Sequence, residues 1–471
     1  MVPSIEHYDI TIIGGGPAGY VGAIQAAHLG KKVCLIEKDR PGGTCLWRGC
    51  IPSKALLASS ETLQRVKNAT AFGIHIEGTI TLDFPVIMKR KDSILNILGT
   101  GILSLLKSNK VCLIQGEASL KNSRTLEIHI QNQADQILTS DNILIATGSR
   151  PSDIPGLPFD GTKIISTDHV FSLDKLPSSM IILGAGYSGC EMAFAFSELG
   201  VDVTLVEMMP RILPGADKEI ADLLSRQFRK HKVKILTDTK ILSADLRDDP
   251  PVTVHLNRGE PLRADKLLIT VGRSINSRGL GLDKAEVMLG TRGEILVNEK
   301  METNIPGIYA AGDATGKLML AHVASRQAVV AIHNMTGTPD RMDYSGIPSC
   351  TFTHPPVASV GLTEEQCLQQ GLDYAVGKFS FRSLGAAQVK GELDGMVKLI
   401  SDKSSDKLLG FHIIGPGATE MISEGTLALQ KGLSAQEFAS AVRAHPSLPE
   451  AISEAAENIF GISIHTPPGQ R

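Results

Sequence analysis

Cysteine is scarce in this chain, with seven among 471 residues. An odd, thinly spread set excludes the dense, even disulfide framework of a small secreted domain, and it directs attention to any pair standing close in sequence. Long apolar runs are missing too. None approaches the ~18 residues of a membrane span. Only seven residues precede the strand-like Tyr8-Asp9-Ile10-Thr11-Ile12-Ile13, which leaves no room for a secretory leader. The chain is therefore expected to be cytoplasmic, of bacterial type, with no membrane partner. Neither sign of charge is in excess, since 47 Lys and Arg face 50 Asp and Glu. Such a balance provides no broad electropositive face, so no nucleic-acid partner is expected. With 42% hydrophobic and 21% charged residues, the composition is that of a globular chain of about three domains.

Glycine is abundant instead, at 46 positions, or about a tenth of the chain against a usual ~7%. Residues 8–37 show why. A strand-like run is followed by Gly14-x-Gly16-x-x-Gly19, a helical stretch to Leu29, Gly30, the strand-like Val33-Cys34-Leu35-Ile36 and then Glu37. The first glycine permits a tight turn, the second lets backbone amides approach a pyrophosphate at a helix N-terminus, and the third lets helix and strand pack closely. Glu37 would accept a ribose hydroxyl.

One such fingerprint is weak evidence, but the whole unit recurs as Ile181-Ile182-Leu183, Gly184-x-Gly186-x-x-Gly189, a helical stretch to Gly200, a strand and Glu207. Gly184, Gly200 and Glu207 each stand 170 residues after Gly14, Gly30 and Glu37. Two dinucleotide sites follow from this register. An acid at the strand end bonds a 2′-hydroxyl and repels a 2′-phosphate, so the second site is read as taking NAD rather than NADP. Arg211, beside Pro210 and the Leu213-Pro214-Gly215 turn, reads as a solvated loop charge.

Shortly after the first unit comes Cys45-Leu-Trp-Arg-Gly-Cys50-Ile-Pro-Ser-Lys54. A zinc site is a poor reading, because no further ligands lie nearby. A structural disulfide would close a very short loop for little entropic gain. A redox disulfide is the third reading, and the neighbouring dinucleotide unit favours it. Residues five apart in a straight helix are ~7.5 Å apart along the axis, beyond the ~4.4–6.8 Å that a disulfide allows. The helix must therefore be distorted between the cysteines. Pro52 removes a helical donor and Gly49 loosens the same turn.

These motifs resemble those of the pyridine nucleotide-disulfide oxidoreductases, and within them the branch that reoxidises dihydrolipoyl groups. The resemblance spans nearly the whole chain: the two glycine units, the cysteine segment through Lys54, Ala146-Thr147-Gly148, Glu191, Val271-Gly272-Arg273, Ala311-Gly312-Asp313, Met319-Leu320-Ala321-His322, and Ala444-His445-Pro446 with Glu450. It implies FAD at Gly14, Gly16, Gly19, Glu37, Lys54, Thr147, Gly148, Asp313 and Ala321. It implies NAD at Gly184, Gly186, Gly189, Glu191, Glu207 and Gly272. Cys50 would face the flavin, Cys45 would exchange with substrate, and Lys54 would pair with Glu191.

His445 and Glu450 would form the acid-base pair, working across a homodimer interface on Cys45 of the other subunit. Ser447-Leu-Pro-Glu450 is also a capping box in its own right. The implied partners are a lipoyl-bearing acyltransferase of a 2-oxoacid dehydrogenase complex or the lipoyl carrier of glycine cleavage. Two departures stand out. Trp47-Arg48 replaces the family's usual Asn-Val, and Tyr187 is similar to the tyrosine that covers the nicotinamide pocket in glutathione reductases. A glutathione reductase-like reading is disfavoured by Glu207, and a non-catalytic scaffold by the presence of Cys45, Cys50 and His445.

The expected fold is α/β, with two Rossmann-like domains and an α+β dimerisation domain. The FAD domain is placed at residues 1–150 and completed by 276–343, the NAD domain at 151–275, and the interface domain at 344–471. The tail Thr466-Pro467-Pro468-Gly469 reads as irregular, and the five cysteines other than Cys45 and Cys50 as packing residues.

Overall fold

The computed structural model describes residues 5–247 and 251–467, so Pro468 and Gly469 of the tail lie outside the described residues. The chain divides into two units. The first comprises Met1–Ala55, Pro85–Asp153 and Gly272–Asp343. Its centre is β1 (Glu6–Ile13), followed by α1 (Pro17–His28) and β2 (Val33–Glu37). Then come α2 (Gly43–Arg48), α3 (Cys50–Lys67), of which only the first turns to Ala55 belong to this unit, and α4 (Phe84–Ser108). Four strands follow, β3 (Cys112–Gln115), β4 (Glu117–Leu120), β5 (Thr125–His129) and β6 (Gln136–Ile145).

The sheet order is β3-β2-β1-β6-β5-β4, with strand Ile308–Ala310 also paired to β6. The strands β3, β2, β1 and β6 are parallel. Burial on both faces explains their near-continuous apolar runs. Strand order reverses at β1, so the crevice beyond its C-terminal end is the ligand position of an open α/β sheet. Helix α1 fits there because its buried face is small: Ala18, Gly19, Gly22, Ala23 and Ala26. A Cβ on Gly19 would stand 1.7 Å from the Gly14 carbonyl oxygen.

The second unit comprises Leu56–Phe84, Ile154–Val271 and Tyr344–Arg471. It holds a second parallel sheet, in the order Lys234–Leu236, Asp202–Val206, Ser179–Leu183, Lys266–Ile269, Ile164–Ser166, beside a three-stranded antiparallel meander. Its C-terminal part is an antiparallel sheet in the order Ser349–Thr351, Val357–Gly361, Leu408–Ile414, Met396–Asp402, Tyr374–Ser380. Phe379, Val397, Leu399, Phe411 and Ile413 from these strands share a core with Ala418, Ile422, Ala451, Ile452 and Ala455. These belong to helices Ala418–Lys431 and Glu450–Asn458. Two Rossmann-like sheets and an α+β C-terminal part are the fold expected from the sequence.

One ionic cluster ties this unit together. Lys398, 1% exposed, places Nζ 3.0 Å from both Asp217 carboxylate oxygens, 2.6 Å from Glu364 and 3.3 Å from Glu219. Asp217 also caps helix Lys218–Lys230. Three acidic partners offset the cost of burying the ammonium, as a buried charge requires.

Candidate active site

The two glycine units fold into the same cradle. Gly14 and Gly184 both have φ of 99°, and helices Pro17–His28 and Tyr187–Glu198 start after Gly16 and Gly186 with nearly equal dihedrals. The Glu37 carboxylate accepts from Gly15 N–H at 2.5 Å and from Asp39 N–H at 2.7 Å. Glu207 repeats this with Ala185 at 2.7 Å and Met209 at 2.8 Å. Each acid is thus clamped at its strand end beside the glycine loop. A Cβ on Gly186 would meet nothing within 4 Å, and one on Gly16 would meet only Gly43 Cα at 4.0 Å. Both helix N-termini are therefore open to a pyrophosphate, and both cradles fit a dinucleotide.

The cysteine segment is docked onto the first cradle. Gly42 N–H donates to the Gly15 carbonyl at 2.8 Å. A Cβ on Gly43, which has φ of 57°, would stand 2.6 Å from Gly16 Cα. The helix is broken between the cysteines: α2 ends at Arg48 and α3 begins at Cys50. Gly49 makes the break, since a Cβ there would lie 3.1 Å from the Thr44 carbonyl oxygen. Pro52 falls in the first turn of α3, where its missing N–H is harmless. The two thiols meet, and the Cys50 sulfur, then burial, push the Cys45 thiol upward in pKa against the pull of the Lys54 ammonium.

Trp47 and Arg48 both have partners outside the cysteine pair. The Trp47 indole N–H donates to the Pro41 carbonyl at 2.9 Å, under the Arg40 guanidinium. A Cβ on Gly99 of α4 would come 2.4 Å from the indole ring. The only Trp is thus a packing residue between the Pro41 loop and α4. Arg48 pairs with Asp39 at 2.7 Å.

Asp313 sits in a network only partly legible in the sequence. Its carboxylate accepts from the Ser149 hydroxyl at 2.5 Å and lies 3.8 Å from Arg273. Arg273 in turn donates to the Ser149 hydroxyl at 2.6 Å and the Ser149 carbonyl at 2.8 Å. The Thr147 hydroxyl and carbonyl are both held by Asn276, and Gly148 accepts from Asn276 N–H. Antiparallel pairing of Ser149–Pro151 with Arg273–Ile275 brings these segments together. Ser149, Arg273 and Asn276 each belong to or follow one of the Ala146-Thr147-Gly148 and Val271-Gly272-Arg273 motifs, which mark their positions without giving them a role. Gly272 carries positive φ and accepts from Ser152 N–H at 3.3 Å, which places it in the first unit. Ala321 opens helix Ala321–Met335 with His322 beside it, and Gln327 of that helix accepts from Gly312 N–H at 2.7 Å.

In the second unit, the buried Glu191 carboxylate accepts from Phe352 N–H at 3.0 Å, whereas Lys54 belongs to the first. Tyr187 is exposed at the start of its helix. Arg211 is not a solvated loop charge. It makes a two-pronged ion pair with Glu365, at 2.7 and 2.5 Å. The loop turns it partly inward, where the carboxylate compensates the half-buried guanidinium.

His445 projects into solvent with its side chain 79% exposed, and its Nδ1 lies 2.8 Å from Glu450 Oε1. Burial opposes ionisation of Glu450, but the Ser447 N–H and His445 outweigh it and hold the carboxyl below its ordinary pKa. An ionised carboxylate only accepts, so Nδ1 carries the proton and Nε2 is left as the basic edge. The predicted capping box is only half made. Glu450 accepts from Ser447 N–H at 2.7 Å, but the Ser447 hydroxyl caps nothing and the helix starts at Glu450 after Pro449. Glu450 serves His445 rather than a helix that begins at Ser447.

The family model of pyridine nucleotide-disulphide oxidoreductases matches residues 8–328, and the dimerisation domain of the same family matches residues 347–456. The chain belongs to this family: it is a flavoprotein oxidoreductase whose cofactors are FAD and NAD. It is similar to the dihydrolipoyl dehydrogenase of Chlamydia muridarum, 40% identical over 99% of this chain and 100% of that one. With that of Bacillus subtilis it shares 37% identity over 97% and 99% of the two chains. The crystal structure of LpdA from Mycobacterium tuberculosis superposes with a TM-score of 0.90, at 28% identity over 96% of this chain and 99% of that one.

Proposed function

We propose that this chain oxidises protein-bound dihydrolipoyl groups with NAD⁺ as acceptor, as the homodimeric dehydrogenase component of 2-oxoacid dehydrogenase complexes. The observation that carries this reading is the Cys45 and Cys50 pair seated on the first cradle, in a chain matched end to end by dihydrolipoyl dehydrogenases. In the oxidised enzyme the two cysteines are joined. His445 of one subunit takes a proton at Nε2 from a substrate thiol, with Glu450 stabilising the imidazolium that forms. The substrate thiolate attacks Cys45, the Cys45–Cys50 bond breaks, and Cys50 leaves as a thiolate. The second substrate thiol then attacks the substrate sulfur bonded to Cys45 and displaces Cys45, which takes up the proton that this second thiol gives up, so that His445 keeps the first proton as the Cys50 thiolate's counter-charge. FAD, when bound, supplies the electron acceptor for the dithiol and the hydride donor for NAD⁺.

Glu37, Gly148, Asp313 and Ala321 with His322 are assigned to holding FAD, and Glu207 to the NAD ribose. Lys54 and Glu191 are read as a pair near the flavin, and Tyr187 as a cover over the nicotinamide pocket. The FAD domain is assigned to residues 1–150 with 276–343, the NAD domain to 151–275 and the interface domain to 344–471. The lipoyl group comes from an acyltransferase or from the glycine-cleavage carrier, and the enzyme works in the cytoplasm. The test is a visible spectrum of the purified protein, NADH titration, and rates with lipoamide against glutathione disulfide. A yellow protein that turns over lipoamide at least a hundredfold faster is expected, whereas a colourless one, or a preference for glutathione disulfide, would overturn the reading.

A further inference from the structure

Two cysteines outside the active site are brought together by the fold. Cys34 of β2 and Cys112 of β3 are in-register partners in parallel strands, so both side chains leave the same face of the sheet. Neighbouring strands lie about 4.7–4.9 Å apart, inside the ~4.4–6.8 Å Cα separation of a disulfide. Cys34 is fully buried and Cys112 partly exposed. β3 is the edge strand of its sheet, free to adjust by the small amount that a bond demands. Beside Cys112 lies a surface hollow of about 470 Å³ lined by Leu103, Leu106, Lys107, Lys110 and Val111. The Cys112 thiol itself packs with Cys34 and Tyr8 at the margin of this sheet's core, where Lys32 supplies a cation suited to a small anionic thiol compound.

We infer that Cys34 and Cys112 are a second oxidisable dithiol: Cys112 reacts with a small anionic disulfide such as glutathione disulfide, and Cys34 resolves the adduct. In the first step the Cys112 thiolate attacks one sulfur of the disulfide, and one thiolate leaves. In the second, the Cys34 sulfur attacks Cys112, and the departing second thiolate takes the proton that Cys34 gives up. Two protein thiols are oxidised and one disulfide is reduced to two thiols. The surroundings divide the labour in this order. The Cys34 thiol pulls the Cys112 pKa down to about 6, helped by Tyr8 and Lys32 and opposed by burial and Glu6. The Cys34 thiol is itself pushed up, by Cys112, by burial and by Glu6, against Lys32.

The test treats FAD-loaded protein with glutathione disulfide at neutral pH, quenches with acid, alkylates under denaturing conditions and maps the peptides by mass spectrometry. A Cys34–Cys112 linked peptide is expected, distinct from that of Cys45–Cys50, and in Cys34→Ala the reaction should stop at glutathionylated Cys112. Full alkylation of both cysteines, or a glutathione adduct on Cys112 that never passes to Cys34, overturns the proposal. Should the variant not fold, the alkylation rate of Cys112 in the unaltered chain tests the same division of labour. Its initial rate should rise with a midpoint below the ordinary thiol value near 9, and a midpoint at or above that value is the contrary result.

Discussion

At the scale of single residues, the chemistry rests on which atoms hold protons. Nδ1 of His445 is committed to Glu450, and in the mechanism proposed above its free Nε2 is the base that takes the substrate proton. His445→Gln removes the base without touching the cradles. Lipoamide oxidation is expected to fall about 10²–10⁴-fold, with FAD content unchanged in the visible spectrum. Glu450 has a depressed pKa in the folded chain. Its stabilising contribution is therefore present above the unfolded carboxyl value, ~4.3, and lost as pH falls through the folded value. The urea midpoint of Glu450→Gln should accordingly lie below that of the unaltered chain at pH 7, and the two should converge as pH falls through the depressed folded value. A gap that stays constant across this range would separate Glu450 from the stabilisation assigned to it. Residue identities at fixed spacing, such as Cys45 with Cys50 or His445 with Glu450, are readable from the chain, whereas the Arg211 partner, Glu365, is not.

At the scale of elements, close approach is what the glycines supply. Added Cβ atoms would stand 1.7 Å from the Gly14 oxygen at Gly19 and 1.8 Å from the Gly184 oxygen at Gly189. Gly189→Ala should lose NADH binding by tenfold or more in a fluorescence titration while remaining yellow. Gly19→Ala should instead lose flavin on purification. Their effects exchanged would reverse the assignment of the two cradles. The Lys398 cluster is a second element-level device, holding the start of helix Lys218–Lys230 to strand Met396–Asp402. Burial disfavours both charges, yet His412 and Lys398 pull the Asp217 pKa down, and Glu364 with Asp217 holds Lys398 up. The Asp217 contribution is lost as pH falls through its depressed value, and the Lys398 contribution as pH rises through its raised one. Between these limits Lys398→Ala leaves the buried Asp217 carboxylate uncompensated and should cost about 3 kcal/mol, measured by urea denaturation at pH 7. A cost below about 1 kcal/mol would mean that the cluster is hydrated and dispensable.

At the scale of the whole molecule, the dimerisation domain raises the question of where a complete site lies. If His445 serves Cys45 of the other subunit, neither Cys45→Ser nor His445→Gln protein is active alone. A hybrid dimer of the two holds one intact site and one doubly altered one. Random reassociation of equal amounts should then restore about a quarter of the unaltered activity, since about half the dimers are hybrids with one working site each. No recovery after verified subunit exchange would place His445 and Cys45 of the same chain in one site.

The fold class and both cradles were legible because their signals are local and periodic. Each glycine unit is a short strand, turn and helix whose backbone demands are written in consecutive residues, and its repetition after 170 positions doubles the signal. Local, too, was the need for a break between Cys45 and Cys50, since Gly49 and Pro52 lie within one turn of each other. Contacts between distant segments carry no such mark. The Ser149, Arg273 and Asp313 network, the packing of Trp47 against Gly99, the Arg211 pair with Glu365 and the meeting of Cys34 with Cys112 all depend on strand order and register. Those are set when the whole chain buries its apolar surface, and no window of sequence contains them.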